Sequence, residues 1–197
     1  EDYLKELINE IRSLNRIELS DIPNIDLYMD QVTTFFDDQL SPWKLNEEDK
    51  ILTKTMINNY TKANILFPPI KKKYSKEHMV LLILIYHLKQ ILSLNEIHTL
   101  LSPLIEKIIS KDSENTSELY TLYEKFLHIQ KEELRAFEDH FSKKIDALFE
   151  EDNTQEDQYP LFLITIMNLI IASNIQKTFA EKLIHEFPNI FTKKHKE

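Results

Sequence analysis

The chain contains no glycine among its 197 residues, where average usage of roughly 7% would supply about fourteen. Glycine is the residue that takes positive φ without steric cost and lets a backbone come close to a phosphate. Its absence removes the dinucleotide-binding fingerprint, the Walker A loop, the nucleophile elbow and the EF-hand turn. It also disfavours repeated two-residue hairpins, and an all-β fold with them. Helices need glycine least, so a mainly helical protein is expected. The length suffices to bury a core without staples, and 42% hydrophobic with 29% charged residues is an ordinary globular composition.

Cysteine is also zero. That excludes disulfides, thiolate metal sites, thiol nucleophiles and iron–sulfur clusters, and a reducing cytoplasm is the expected compartment. The opening EDYLKELINEIRSL is charged and amphipathic, unlike a signal sequence. The longest apolar run, Leu161 to Ala172, is interrupted by Thr165 and Asn168. It is shorter than the ~20 residues of a membrane span and reads as a buried helix, so no membrane partner is expected. The sequons at Asn59 and Asn115 are read as chance.

The net charge of −9 is unevenly spread. Residues 1–49 carry 13 acids and 4 bases, whereas residues 50–92 carry 8 lysines and one acid, a net of +7. Residues 103–197 return to −6. A basic segment inside an acidic chain suggests a surface that faces a polyanion. Scattered lysines commonly just solvate helix faces. Lys71-Lys72-Lys73, three adjacent like charges beside Pro68-Pro69, fit that explanation less well.

Apolar spacing predicts helices over 3–19, 27–40, 54–62, 76–92, 94–101, 117–150 and 160–186. Thr53 and Ser75 stand at N-cap positions, and Ser93-Leu94-Asn95-Glu96 is a capping box. Asn64 follows the last turn of 54–62, where a left-handed residue is needed and glycine is unavailable. Pro103 is expected to open a further helical turn at its first position. KDSENTS, 111–117, reads as a linker and 150–157 as an acidic loop. Residues 65–67 and 71–74 are the expected strands, separated by a turn at Pro68-Pro69. The last helix, apolar on both sides, is expected to be packed from several directions.

The order of capped short helix, apolar step, diproline, basic turn, long apolar helix and capped helix over residues 53–101 resembles the DNA-binding domain of the mercury-resistance regulator (MerR) family. The features that carry it are a Thr-led helix ending in Tyr60, Ile65-Leu66, Pro68-Pro69, a basic stretch ending Tyr74-Ser75, and Ser93-Leu94-Asn95-Glu96-Ile97. The whole chain also resembles the domain-of-unknown-function 1836 family, which brings no known activity. The resemblance implies a mainly α fold: a MerR-like winged helix-turn-helix over 21–102 with a short two-strand wing. An amphipathic helix over 1–20 would precede it. A C-terminal helical dimerisation and effector region over 103–197, with one long helix, would follow. Helix 54–62 would enter a major groove of double-stranded DNA. Lys54, Thr55, Asn58, Asn59, Tyr60 and Lys62 would be its DNA-binding residues, with Lys71, Lys72, Lys73 and Tyr74 on the wing. Asn suits the adenine edge and Thr the thymine methyl, while lysines contact phosphates.

The segment departs from the family pattern at three points. Asn58 stands where an arginine is usual, the wing is short, and the connector before helix 54–62 is long and carries Glu47, Glu48 and Asp49. The alternative is a helical protein-interaction module with a degenerate helix-turn-helix. By the same resemblance, helix 117–150 would form a homodimer through Leu119, Tyr123, Phe126, Leu134, Phe137 and Phe141, and the aromatic-rich C-terminal half is a candidate site for an apolar small-molecule effector. No cofactor, metal or enzymatic motif stands out. Glu138-Asp139-His140 points in different directions on a helix and reads as a solvated face.

Overall fold

Helices take up most of the chain in the computed structural model, which describes residues 2–12, 16–44, 46, 48–110, 113–151 and 159–191. In order they are α1 (Asp2–Arg12), β1 (Leu27–Tyr28), α2 (Met29–Gln39), a 3-10 turn (Ser41–Trp43), α3 (Lys54–Lys62), β2 (Lys73–Tyr74), α4 (Lys76–Lys89), α5 (Leu94–Ile109), α6 (Ser113–Glu151) and α7 (Tyr159–Phe191). The architecture is mainly α with one small antiparallel sheet, as a glycine-free chain implies. It divides into two units, residues 1–128 and 129–197. The boundary drawn from sequence at residue 102 falls inside α5.

The first unit is built around α4. Eight successive residues, His78 to Ile85, are buried, which requires cover on every side of the helix. Val32, Phe36 and Leu40, Ile57 and Tyr60, Ile97 and Leu101, and Leu119 and Tyr123 complete the core. Each such side chain contributes roughly 1.5–3 kcal/mol of burial.

The helix ends follow the sequence signals. Thr53 Oγ1 accepts the Met56 N–H at 3.1 Å. After α3, Ile65 N–H reaches the Tyr60 carbonyl and Asn64 N–H the Thr61 carbonyl, both at 3.1 Å. This is a Schellman closure, and Asn64 takes φ 56 to make it. The Ser93–Glu96 box closes reciprocally at 2.8 and 3.3 Å.

Several expectations are corrected. The sheet does not pair 65–67 with 71–74. Instead β1 pairs with β2, Leu27 opposite Tyr74 and Tyr28 opposite Lys73. Pro68 and Pro69 have no N–H to give a ladder, and Ile65 and Leu66 go into the core. The expected helix 27–40 therefore begins at Met29. Of the expected helix 3–19, the described helix is Asp2–Arg12; residues 13–15, Leu14 among them, lie outside the described residues, and Ile17 is buried outside any helix. Helix 76–92 ends at Lys89, which leaves Ile91 exposed in the following turn.

Helix 94–101 instead runs on to Ile109 through Pro103. Pro103 is exposed, so the donor it lacks is missing on the solvent side, where water can satisfy the Thr99 carbonyl. Residues 113–117, read as linker, are the start of α6. Most of the acidic loop and the last six residues lie outside the described residues.

The second unit holds the rest of α6 and α7. Leu134, Phe137 and Phe141 are half-buried, with the two phenylalanine rings stacked at 5.3 Å. The expectation for α7 is overturned. It is longer, Tyr159–Phe191 with Pro188 near its end, and it is not packed from several directions. Thr165 and Ile184 are buried, while Phe162, Ile164, Met167, Ile171, Ile175, Phe179 and Leu183 are exposed. By length and composition α7 could cross a membrane.

Candidate nucleic-acid interface

Helix α3 sorts its residues by period. Ile57 and Tyr60 face the core, and Lys54, Thr55, Asn58, Asn59 and Lys62 are exposed. The helix contains no carboxylate, so its outer face is basic and amide-bearing. Lys54 ion-pairs with Asp30 of α2. Beside this pair an open cleft of about 410 Å³ is lined by Thr33, Thr34, Asp37, Lys50, Leu52, Thr53, Lys54 and Thr55. Asp37 is paired with Lys44 at 2.7 Å.

The basic turn has an unusual backbone. Ile70 and Lys73 exchange hydrogen bonds at 3.1 and 2.9 Å, closing a two-residue turn whose central residues are Lys71 (φ 51) and Lys72 (φ 65). Positive φ at both central positions is the type I′ pattern, which strongly prefers Asn-Gly. Two lysines hold it here, and both are exposed. Lys73 is half-buried, its ammonium 5.0 Å from the Tyr28 ring centre.

A polar relay supports this turn. Ser75 N–H donates to His78 Nδ1 at 3.0 Å, so the proton of a neutral imidazole sits on Nε2, 3.4 Å from the Pro68 carbonyl. The imidazole also packs on Phe67 at 3.8 Å. Burial holds the His78 pKa below the usual value, against the pull of the Pro68 carbonyl and Glu77. Glu77 accepts from Ser75 Oγ at 2.5 Å and from Tyr120 of α6 at 2.6 Å. Burial alone would raise the Glu77 carboxyl, but the Ser75 and Tyr120 hydrogen bonds outweigh it and the pKa falls. The α6 side of the relay thus reaches the segment that carries the lysine turn.

Two residues assigned to DNA do not face solvent. Tyr60 and Tyr74 are each 3% exposed, and burial raises both phenol pKa values. Tyrosine at the end of a helix and beside a buried strand is a packing residue here. Leu119 and Tyr123, assigned to a dimer, are fully buried in the first unit, and Phe126 stacks on Tyr123 at 6.0 Å. Leu119 and Tyr123 are intramolecular core, and Phe126 is half-buried beside them. The aromatic residues offered for an effector are dispersed, Tyr123 in the core and Phe162 and Phe179 on the exposed α7. Sequence reasoning missed Asp30, Tyr28, Glu77 and His78. Only the last had a local signal, since Ser75-x-x-His78 occupies the two positions of a capping box.

Among the described residues no three His, Asp or Glu side chains gather as a metal site. A family model described as a domain of unknown function (DUF1836) matches residues 17–126. The chain belongs to that family, and the matched segment is nearly coextensive with the first unit. Comparison with curated proteins and with solved structures finds no match.

Proposed function

We propose that the first unit binds double-stranded DNA as a MerR-like winged helix-turn-helix, and that the protein is a sequence-specific transcriptional regulator. The observation that carries this reading is the outer face of α3, where Lys54, Thr55, Asn58, Asn59 and Lys62 are displayed together and no acid shares the helix. Asn58 and Asn59 supply donor and acceptor pairs for base edges. The Lys71-Lys72 turn supplies phosphate contacts that position the helix. Non-glycine residues held in the left-handed region concentrate at functional sites, which supports a role for that turn. Tyr60 and Tyr74 have no part in the contact surface.

The test is a mobility-shift titration of the full chain on the DNA upstream of its own gene. Binding is expected at low salt, weakening with a log–log slope of several units. Lys71→Glu with Lys72→Glu abolishes it, and Asn59→Ala narrows the gap between operator and random DNA. No shift at low salt overturns the reading. A second reading, a protein-binding module, is favoured by Asp30, which places a carboxylate on the α3 face beside Lys54. It predicts partners that survive nuclease treatment and no DNA enrichment.

A further inference from the structure

Between the segment that leads into β1 and the outer side of α2 lies an open groove of about 420 Å³. Its base is apolar, with Leu27 buried and Pro23 and Phe35 half-buried. Its edges are acidic. Asp30 and Asp38 are exposed there, roughly two turns or ~12 Å apart along α2 by the rise of a helix. We propose that this groove docks a cationic amphipathic segment of a partner protein, an apolar side chain seated on Leu27 and Phe35 between bases that meet Asp30 and Asp38.

Three observations support this occupant. The first is charge. Residues 17–43 hold six acids and no base. Lys54 of α3 and Lys76 of α4 reach Asp30 and Asn24, and neither lines the groove. Lys44 holds Asp37 at 2.7 Å, while Asp38 has no ion pair among the described residues. The second is position. Asp38 stands in the last turn of α2, which contains no base. The carbonyl end of a helix disfavours a carboxylate and welcomes a cation. Asp38 therefore weakens the isolated helix, and a base bound there relieves it.

The third is that the groove is formed in advance. Leu27 is held by its pairing with Tyr74 in the sheet, Asn24 by Lys76 at 3.0 Å, and the Tyr28 N–H by Gln31 Oε1 at 2.8 Å. A wall fixed before binding lowers the ordering cost of a complex. The carboxylates turn away phosphate and anionic lipid, which sets this surface apart from α3. Thr33 and Asp37 line the cleft toward α3, whereas Phe35 and Asp38 line the groove. The proposal stands whether or not α3 meets DNA.

The experiment is fluorescence anisotropy of the full chain with a labelled leucine–lysine peptide of helical amphipathic spacing, about twelve residues or three turns long. Its glutamate-for-lysine counterpart and a scrambled peptide without an apolar side are the comparisons. Micromolar binding is expected for the first peptide alone, weakening as salt rises. Asp38→Lys is expected to weaken it at least tenfold while melting no lower than wild type, since a base suits the end of α2. Glu106→Lys makes the same change of charge at an exposed position of α5 and is expected to leave binding within twofold. No binding of the leucine–lysine peptide, equal binding of the scrambled one, or binding that Asp38→Lys leaves unchanged overturns the proposal. So does self-association of the wild-type chain in sedimentation that Asp38→Lys abolishes, which would make the occupant the lysines of a second copy.

Discussion

The Tyr123 hydroxyl donates to the Ile17 carbonyl at 2.5 Å, a buried bond between residues 106 apart in sequence. The two residues lie at the opposite ends of the segment that defines the family, 17–126. The bond therefore ties the entry of the fold to its exit on α6. Burial, then the nearby Glu18 and Asp21 carboxylates, push the phenol pKa well up, so the tyrosine stays a donor at any working pH. Tyr123→Phe keeps the ring and removes the proton, leaving a buried carbonyl unsatisfied. A loss of about 1–3 kcal/mol is expected, read as a lower urea midpoint at unchanged slope.

On the proposed reading, the lysine turn sets stability against DNA binding. A non-glycine residue held in the left-handed region costs on the order of 1–3 kcal/mol, and Lys71 and Lys72 both occupy it. Replacing them by Asn-Gly supplies the residues a type I′ turn prefers. The variant is expected to melt several degrees higher while its affinity for DNA falls at least tenfold. A differential scanning run and a binding isotherm on the same preparation check both halves.

These two sites also show what the sequence discloses. Thr53, Asn64 and the Ser93–Glu96 box act over three or four residues, and local chemistry suffices to place them. The exposed face of α3 follows from the same short period. The partner of β2 was hidden, because Lys73-Tyr74 pairs with Leu27-Tyr28 from the far side of α2 and α3, and no spacing encodes that meeting. Tyr60 and Tyr74 misled for a related reason, since an amphipathic side chain serves a core as readily as a groove. For α7 the apolar pattern disclosed a helix, but the burial read from that pattern was wrong. What it could not reveal was that its own chain leaves most of that surface uncovered.

Asp30 restrains the α3 face. Its carboxylate pairs with Lys54 in an exposed position, where such a pair contributes about 0–1 kcal/mol. Asp30→Asn is therefore expected to leave the melting temperature within a degree or two. It removes a negative charge from the face proposed to meet DNA and releases the ammonium for phosphate. Affinity is expected to rise several-fold at low salt and to converge with wild type as salt increases. Titrations at two salt concentrations test the sign.

Acid sensitivity should be set by histidine before it is set by carboxylates. His87 lies among the rings of Trp43, Tyr86 and Phe126, with centroids 5.9, 5.3 and 5.2 Å away. Burial lowers its pKa to about 4, and burial lowers that of His78 as well. In the unfolded chain both titrate near 6.5. The folded state thus favours the neutral ring, and the unfolded state binds protons first as pH falls. The stabilisation is complete above pH 6.5 and is lost as pH falls from there toward 4, on the order of 3 kcal/mol for His87 alone. Glu77, whose pKa is lowered, adds its own loss only below about 4.5. Urea unfolding at pH 7.5, 6.0 and 5.0 isolates the histidines. His87→Leu is expected to flatten this part of the curve, leaving the residual slope that belongs to His78. An unchanged slope would show that the ring cage does not hold His87 neutral.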